Sequence, residues 1–390
     1  MSADTCVRDV ALFPIRTERR TGSTSSHVLI RLTADSGVQG WGELSDLDHY
    51  RMFMPAVDAI GAGVRRAVIG FDAGNVVSLG RRLRSMLPDF CHGAATYPPF
   101  TLPSQLVAAV EMACLDLIGR ASGQSIGELL GGSLRETIPV AYPLFSAGPT
   151  DQHDRFGAVE YAIGTGVSVF RYYVSDDLDV SRRFLHDLVD RFGPTISLKG
   201  LDFGSRFHWK AALRFLRSLD GLPIGLVESA SWREDYAGMA LLRRAIDVDV
   251  SEHVSSSSQL LRMVAADAID VANVTIQSGG IHAARRLLET AQGAGLRCLL
   301  GTTQELSPGT SAGAHLAASI DDLAHPADVV GPLLYRDDPV VERVRYVDSE
   351  LVVPSGPGLG VEIDEAALER LAGNLVDWEC PAHGDNYTVR

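Results

Sequence analysis

The middle of this sequence contains three short apolar runs, each ending in one carboxylate: Thr195-Ile-Ser-Leu-Lys-Gly-Leu-Asp202, Pro223-Ile-Gly-Leu-Val-Glu228 and Asp247-Val-Asp-Val-Ser-Glu252. The second carboxylate lies 26 residues after the first, and the third lies 24 residues after the second. Helical patterns of apolar residues at 209–219 and 236–245 separate the runs. An alternation of strand and helix with this period predicts parallel strands.

The three carboxylates are expected to lie close together. Residues at the carboxyl ends of parallel barrel strands meet at one place, where the active site of this architecture lies. Asp202, Glu228 and Glu252 would converge there, and convergent like charges are costly unless something neutralises them. A hard divalent cation with oxygen ligands, such as Mg²⁺, does so directly. Each acid taken alone is also explained by a helix cap or by pairing with an arginine.

Several further motifs lie outside these runs. A long helical pattern at 107–124 is followed by Glu128-Leu-Leu-Gly-Gly132. The sequence also contains Gly40-Trp-Gly-Glu43, a Gly279-Gly280 pair and Pro354-Ser-Gly-Pro-Gly-Leu-Gly360. With these motifs and the periodic acids, the chain resembles the enolase superfamily, in particular its mandelate racemase and muconate lactonizing enzyme branch. The resemblance covers nearly the whole chain.

The resemblance implies an α/β fold, a modified TIM (β/α) barrel with an N-terminal α+β capping domain that the C-terminal segment completes. It places the capping domain with its lid loops at residues 1–135, the barrel with the metal and catalytic site at 136–340, and the returning segment at 341–390. In such a family the three acids are Mg²⁺ ligands and the substrate is a small-molecule carboxylate. Self-association into a homo-oligomer is also expected from the resemblance.

The composition disfavours several other classes of protein. The chain has 390 residues, 46% of them hydrophobic, which is enough for a large core and a second domain. Its formal net charge of −14 disfavours a nucleic-acid partner, because phosphate binding needs a basic surface. No run approaches the roughly 20 consecutive apolar residues that span a bilayer, and the N-terminus lacks a signal pattern. We expect a cytoplasmic protein with no membrane partner, and its five scattered cysteines indicate neither a zinc site nor disulfides.

Alternation and helical periodicity predict the elements of both parts. In the first part we expect a hairpin of strands at 28–33 and 38–43, and helices at 55–68, 73–86 and 104–121. The barrel strands are expected at 138–142, 168–174, 195–202, 223–228, 247–252, 270–276, 296–300 and 327–330.

Two segments of the first part are candidates for lids over a substrate. Thr21-Gly-Ser-Thr-Ser-Ser26 is small and polar, and the resemblance implies a loop at this place that closes over the substrate; otherwise it is an ordinary surface connection. Tyr50-Arg-Met-Phe-Met54 is a candidate second wall, unless its apolar residues belong to the core. The polar residues of these segments fit many hydroxy or amino acids, so the sequence does not name the substrate.

The residues expected to carry the chemistry lie at the end of the second barrel strand. The resemblance implies that a lysine of a Lys-x-Lys triplet removes the proton beside the substrate carboxylate, and this chain has Arg171-Tyr172-Tyr173 at the matching place. Alternation puts Arg171 and Tyr173 on one face. Arginine is not an ordinary base because its pKa is above about 12, whereas nearby positive charge favours a tyrosinate. We predict Tyr173 as the base and Arg171 as its electrostatic partner; alternatively, Tyr173 fills the barrel and Arg171 pairs with an acid.

The opposite side of the expected site lacks the residues that relatives place there. The sixth strand has Asn273-Val-Thr275 where relatives carry a Lys or Asp, and the seventh has Gly301 where racemases of this branch carry a His. Glu305 matches an acid that is common in relatives. It is predicted to orient the substrate or to act as an acid, unless it has a surface role.

Two basic residues beside the predicted metal ligands are expected to point away from the site. Lys199 lies three residues before Asp202 and faces the other way if the strand is regular, although a bulge at Gly200 would change that. His253 follows Glu252 directly and also faces away by alternation.

These replacements discriminate among reactions. A racemase needs a proton acceptor on each face of the substrate, and the sixth-strand side offers none. A β-elimination, such as dehydration of a hydroxy or sugar acid, runs with one base on one face. We therefore predict a Mg²⁺-dependent lyase with Tyr173, Arg171 and Glu305 as its catalytic residues. Two alternatives stay open: a racemase or cycloisomerase with an unusual base, and a repurposed family member that binds a carboxylate ligand without turnover.

Overall fold

A computed structural model of the chain describes residues 5–49, 57–86, 96–97, 100–145, 152–219 and 221–372. The candidate lid wall at 50–54 lies outside the described residues. The elements of the N-terminal part are β1 (Val7–Glu18), β2 (Thr24–Ala34), β3 (Gln39–Leu44), α1 (Val57–Val68), α2 (Val76–Met86), β4 (Thr96–Tyr97), β5 (Phe100–Thr101), α3 (Leu102–Ser122) and α4 (Ile126–Leu129).

The first sheet is an antiparallel meander in the order β1-β2-β3. The predicted hairpin is confirmed as β2 and β3, but β1 was missed because its apolar residues do not alternate cleanly and Pro14 interrupts them. The candidate lid at 21–26 belongs to the β1–β2 connection. Ser25 and Ser26 are buried residues of β2, so only the turn before Thr24 is a loop.

The long helix α3 packs directly against β3. Two glycines allow this contact: a Cβ at Gly40 would lie 2.2 Å from the Ala113 carbonyl oxygen, and one at Gly42 would lie 1.9 Å from the Ala109 oxygen. The Gly-Trp-Gly-Glu motif is therefore required where strand and helix backbones approach each other. By length and composition α3 also meets the description of a membrane span, but most of it is buried inside the protein, as in a core helix.

The second part is a curled parallel sheet covered by helices. Its strands are β7 (Tyr142–Leu144), β8 (Val169–Tyr173), β9 (Ser197–Asp202), β10 (Leu226–Glu228), β11 (Asp249–His253), β12 (Val271–Val274) and β13 (Arg297–Leu300), in this spatial order. The helices between them are α5 (Gln152–Gly164), α6 (Leu178–Phe192), α7 (Trp209–Arg217), α8 (Tyr236–Arg243), α9 (Ser257–Ala265) and α10 (Ile281–Gly293). The predicted (β/α) order is confirmed.

The segment at 324–328 fills the place of an eighth strand. Ala324 and Asp328 donate backbone hydrogen bonds to Cys298 and Leu300 at the β13 side. On the other side, Ala327 forms a parallel bridge with Val140 beside β7. This extended segment joins the two edges of the sheet, so the carboxyl ends of the strands face one common mouth.

The first barrel strand begins later than predicted. The prediction of one barrel strand at 138–142 was correct only for its second half. β6 (Thr137–Pro139) pairs antiparallel with a strand from the end of the chain, whereas Val140 forms the parallel bridge with Ala327. That strand is β15 (Glu350–Val352), which also pairs with β14 (Tyr346–Val347). Only β7 joins the parallel sheet. The remaining elements are α11 (Ser307–Ala318), α12 (Gly331–Leu334) and α13 (Glu365–Ala372).

The Pro/Gly-rich segment at 354–360 lies against α3. Leu359 donates its backbone N–H to Asp116 of α3, and Gly358 pairs with Ser125. Asp116 also accepts from the backbone N–H of Trp41 in β3. One buried carboxylate therefore ties together a strand, a helix and the segment near the end of the chain.

The close contact of β3 and α3 predicts a sharp sensitivity to one added methyl group. We expect Gly42→Ala to lower the free energy of unfolding by about 3 kcal/mol or more, because the new Cβ meets backbone that cannot move away. The matched control is Gly157→Ala, at an exposed position of α5 with open space around it, which should stabilise by about 0.5–1 kcal/mol. Urea unfolding measures both, and similar values for the two variants would contradict the packing described.

A buried histidine in α11 predicts part of the acid sensitivity. Burial lowers the pKa of His315 to about 4, whereas an unfolded chain titrates near about 6.5. Between these values the unfolded state binds more protons, so stability is lost as the pH falls, by up to about 3 kcal/mol. The unfolding free energy of His315→Gln should therefore fall less steeply than that of the wild type over this pH range. Parallel curves from urea unfolding would refute this.

Candidate active site

A bulge in β9 turns one lysine into the barrel. Phe170 of β8 pairs with Leu198 and Arg171 pairs with Gly200, so the register shifts by one residue at Lys199. The side chain of Lys199 is buried, and its Nζ lies 2.7 Å from Oδ1 of Asp328. Lys199 was expected to point away from the site in a regular strand. The strand is irregular at Gly200, so the lysine points into the barrel instead.

Arg171 lies at the centre of a cluster of acids. Its Nη1 is 2.9 Å from Oδ2 of Asp328, 3.3 Å from Oε2 of Glu228 and 3.9 Å from Oδ2 of Asp202. The three carboxylates come from β9, β10 and the eighth-strand segment, and all four side chains are buried. A guanidinium with donors in a planar fork is suited to such shared contacts.

Tyr173 lies on the same side of β8 as Arg171, as alternation predicts. Nη2 of Arg171 donates to the phenol oxygen of Tyr173. The ring of Tyr173 stacks on Phe145, with the ring centroids 4.9 Å apart. The neighbouring Tyr172 points the other way, where its hydroxyl contacts Arg155 and Ser181 of the surrounding helices.

The three predicted metal ligands are not all brought together. Asp202 and Glu228 are register partners on adjacent strands, whereas Glu228 pairs with Ser251 rather than with Glu252. Oε1 of Glu252 accepts hydrogen bonds from Oγ of Ser229 and from the backbone N–H of the next residue. The structure therefore joins Asp202 and Glu228 through Arg171, and it places the Glu252 carboxylate against Ser229, just beyond β10, and against the backbone of the next residue.

His253 occupies the side of β11 that was expected for Glu252. Its Nε2 lies 2.9 Å from Oε1 of Glu228. The expectation that His253 faces away was wrong, because β11 is aligned with β10 through Ser251, and residues two apart share a face. An imidazole thus takes part in the acid cluster.

The charges of the cluster set which acid is ionised. Burial raises the pKa of Glu228. The positive charges of Arg171 and His253 together lower it by more, so the net pKa lies below the usual range. Burial and the charge of Glu228 raise the pKa of Asp202, against the effect of Arg171. Burial lowers the pKa of His253, but Glu228, Glu252 and Asp202 together raise it by more, so the net pKa lies above its usual value. Glu228 is therefore the carboxylate that stays ionised between two cationic groups.

Glu305 is held within its own turn beside the capping part. Its Oε1 accepts from the backbone N–H of Thr303 at 2.7 Å, and its Oε2 accepts from the hydroxyl of Thr302. Burial raises its pKa. Next to it, Glu43 accepts from the backbone N–H of Leu306 and Gly309 at the start of α11. These contacts connect the Gly-Trp-Gly-Glu motif to the barrel and leave Glu305 directed at its own backbone.

Asp328 is a site residue that the sequence interpretation missed. It accepts from both Arg171 and Lys199, and it follows Ala327 at the carboxyl end of the eighth-strand segment. The signal was the same as for the other acids, a carboxylate at the end of an apolar run. The run is so short that the pattern did not stand out.

Asn273 is a second unrecognised feature of the barrel mouth. It is a register partner of His253 and of Leu299, so its side chain lies on the interior face of β12. The side chain is fully buried, and neither Nδ2 nor Oδ1 has a hydrogen-bond partner among the described residues. A Cβ added at Gly301 would lie 2.3 Å from Oδ1 of Asn273, so the amide fills the space above that glycine.

Comparison with known protein families identifies the architecture. The family described as "Mandelate racemase / muconate lactonizing enzyme, N-terminal domain" matches residues 2–131, and "Enolase C-terminal domain-like" matches residues 153–367. The chain belongs to the mandelate racemase and muconate lactonizing enzyme branch of the enolase superfamily.

Three relatives with named functions are a racemase, a cycloisomerase and an epimerase. The chain is 26% identical to the N-succinyl-L-Arg/Lys racemase of Bacillus cereus, covering 88% of this chain and 89% of that protein. It is 28% identical to a chloromuconate cycloisomerase of Cupriavidus pinatubonensis, covering 93% and 96%. It is 27% identical to the L-Ala-D/L-Glu epimerase of Bacillus subtilis, covering 89% and 92%. Membership of an enzyme family is therefore clear, whereas the relatives differ in substrate.

Solved structures agree on the fold. The 2-chloromuconate cycloisomerase of Rhodococcus opacus 1CP superposes with a TM-score of 0.80 at 23% identity, over 94% of this chain and 98% of that one. The muconate cycloisomerase of Pseudomonas fluorescens gives a TM-score of 0.79 at 24% identity, over 94% and 99%. At this identity the likeness shows the barrel with its N-terminal cap and carries no information about the reaction.

The ion that the family implies, Mg²⁺, does not fit the acids as they are arranged. Their oxygens are the donor type that Mg²⁺ prefers. However, Glu228 already contacts Arg171 and His253, and Glu252 is bound to Ser229. Within the part of the chain that the structure describes, no group of three His, Cys, Asp or Glu side chains could hold a metal ion. Ligation of Mg²⁺ by the three acids therefore stays a prediction from the sequence.

Proposed function

We propose that this chain is an enzyme that removes the proton beside the carboxylate of a small-molecule substrate, with Tyr173 as the base. The observation that carries the proposal is the contact between Nη2 of Arg171 and the phenol oxygen of Tyr173. A positive charge beside a phenol stabilises the phenolate relative to the phenol. This contact favours the form of Tyr173 that accepts a proton, while arginine itself stays charged.

The surroundings of Tyr173 support a role in a reaction. Its ring is fixed on one side by Phe145, and its oxygen is fixed by a guanidinium that three carboxylates hold in place. A base held by packing and by charged neighbours loses little freedom on reaching the substrate. Tyr172, by contrast, has its oxygen against the outer helices and cannot reach the barrel mouth.

The outcome that we favour is a β-elimination, which makes the enzyme a lyase such as a dehydratase of a hydroxy or sugar acid. Tyr173 takes the α-proton, and the electrons of the broken C–H bond form the new carbon–carbon double bond. The C–O bond to the β-hydroxyl breaks with its electron pair on oxygen, and that oxygen leaves as water with the proton returned by the Tyr173 phenol. Asn273 supports this assignment, because a neutral amide on the sixth strand cannot take a proton from the opposite face. Glu305, the predicted acid, is bound within its own turn, so its contribution stays a prediction.

A second candidate is an isomerase, either a racemase or a cycloisomerase. Two observations favour it: the named functions of the relatives, and the imidazole of His253 in the barrel mouth on the third strand from Tyr173. An isomerase that transfers a proton between two faces needs a second group that exchanges protons, and imidazole is a common choice. The two candidates share the first step and differ in their products.

Binding without turnover is the competing class of function. There, Arg171 would clamp a ligand carboxylate. In the structure, the guanidinium of Arg171 is already engaged by three acids and by Tyr173, so the clamp would have to exchange partners. Dependence on Mg²⁺, self-association, a cytoplasmic location and the domain boundaries near residues 135 and 340 stay predictions from sequence and resemblance.

The matched pair Tyr173→Phe and Tyr172→Phe tests the base. Hydroxy acids and N-acyl amino acids are incubated in D₂O and followed by ¹H NMR, which reports both loss of the α-proton and the product. Tyr173→Phe should lower the rate by about 10²–10⁴-fold, since a positioned base contributes that much. Tyr172→Phe should stay within about threefold, because that hydroxyl faces the helices.

The products decide between the candidates. A keto acid that has lost water indicates the lyase, whereas substrate recovered with inverted configuration and α-deuterium indicates the racemase. An equal loss of rate in both tyrosine variants would refute the assignment of Tyr173. Unchanged α-protons across the whole panel in the wild type would support binding without turnover.

A further inference from the structure

We infer that the guanidinium of Arg171 and the ammonium of Lys199 serve as the counter-ions of the acid cluster, in the place that a divalent metal ion would take. The inference concerns the charge balance of the barrel mouth. It does not require Tyr173 to be the base, so the two proposals fail separately.

The first argument is that the charges of the cluster are already paired. Asp202, Glu228 and Asp328 bring three carboxylates to one buried place, and Arg171 contacts all of them. Lys199 adds a second cationic side chain, with its Nζ 2.7 Å from Oδ1 of Asp328. Burial lowers the pKa of this ammonium group, and the charge of Asp328 opposes that effect. Buried charges are tolerated only when they are paired and hydrogen-bonded, and these pairs meet that condition from within the chain.

The second argument is that Arg171 lies beside the oxygens that would hold a divalent cation. Asp202 and Glu228 are register partners on adjacent strands, and each has a carboxylate oxygen near Nη1 of Arg171, at 3.9 and 3.3 Å. A divalent cation held by these oxygens would lie beside a guanidinium, and two positive charges at close range repel. If Arg171 moved away to make room for the ion, it would also lose its hydrogen bonds to Asp328 and Tyr173, because one planar guanidinium makes all of these contacts.

The third argument is the bulge in β9, which brings Lys199 into the cluster. Only because the register shifts at Lys199 does its side chain enter the barrel and reach Asp328. The inward lysine adds positive charge beside an arginine, which is favourable because three carboxylates lie in the same buried cluster.

Calorimetric titration of the wild-type protein with millimolar Mg²⁺ tests the inference directly. We expect no saturable heat. Arg171→Met removes the internal cation, so it should lower the melting temperature by about 5–15 °C and create saturable Mg²⁺ binding that restores part of the loss. The control is Arg191→Met, an exposed arginine paired with Glu160, which should change neither quantity.

One-to-one Mg²⁺ binding by the wild type that Glu228→Gln abolishes would overturn the inference. An Arg171→Met variant that melts like the wild type would also overturn it, because the cluster would then not depend on the guanidinium. If Arg171→Met does not fold, the Mg²⁺ titration of the wild-type protein is by itself sufficient to test the inference.

A different observation carries a second proposal: the geometry points to Asn273 as a substrate-binding residue that recognises a neutral hydroxyl or amide group. This proposal rests on the proposed function, because it places a carboxylate substrate in the barrel mouth. Its test measures binding rather than turnover, so it can succeed even if Tyr173 is not the base.

The unpaired amide is the basis of this proposal. Both polar atoms of Asn273 are buried without a hydrogen-bond partner in the described chain, although most buried polar groups in proteins are paired. The register places the side chain on the interior face beside His253, above the space that Gly301 leaves open. An amide offers donors and an acceptor together and carries no charge. It therefore matches a hydroxyl or an amide of the substrate rather than a second carboxylate.

Paired ligands and an isosteric variant provide the test. Thermal shifts are measured for malate against succinate, and for N-acetylalanine against 2-methylpentanoate, so that each pair differs in the hydroxyl or amide. The wild type should prefer the first member of at least one pair. Asn273→Leu should remove that preference and melt at the same or a higher temperature, because it replaces an unsatisfied polar group by an apolar one.

Gly301→Ala gives an independent check, since its new Cβ would displace the amide of Asn273. It should weaken the preference in the same way, whereas Gly293→Ala, at an exposed helix position with open space around it, should not. The proposal is overturned if the wild type shows no preference in either pair. It is also overturned if Asn273→Leu keeps the preference, or if that variant melts several degrees lower.

Discussion

The contact of one guanidinium with carboxylates from three places in the barrel is the interaction on which the site depends. Arg171 on β8 joins Asp202 on β9, Glu228 on β10 and Asp328 on the eighth-strand segment. Removing one partner of a buried ion pair is strongly destabilising, because the remaining charge loses compensation that water cannot replace. The acids therefore keep Arg171 in the barrel, and Arg171 in turn fixes the oxygen of Tyr173.

The register of the strands determines which side chains reach this network. The shift between β8 and β9 brings Lys199 inward, and the alignment of β11 with β10 through Ser251 brings in His253. Both effects follow from a displacement of one residue, which moves a side chain from one face of a sheet to the other. The same barrel can thus present a different set of charged groups at its mouth without any change in topology.

The sequence predicted the fold well and the site in part. Periodic apolar runs identified six of the eight barrel strands closely, because burial on both faces leaves a strong pattern. The strand β1 and the true start at β7 were missed where alternation was weak or where a distant strand, β15, supplied the partner. In the site, the shared face of Arg171 and Tyr173 followed from alternation. The inward positions of Lys199 and His253 depend on register between strands, which one sequence does not contain.

A crystal structure of the wild-type protein grown with Mn²⁺ and its anomalous signal would test the central claim most directly. The account predicts that the guanidinium of Arg171 lies between Asp202, Glu228 and Asp328, with no anomalous peak beside these carboxylates. An anomalous peak bound by Asp202, Glu228 and Glu252, with Arg171 turned away from them, would contradict it.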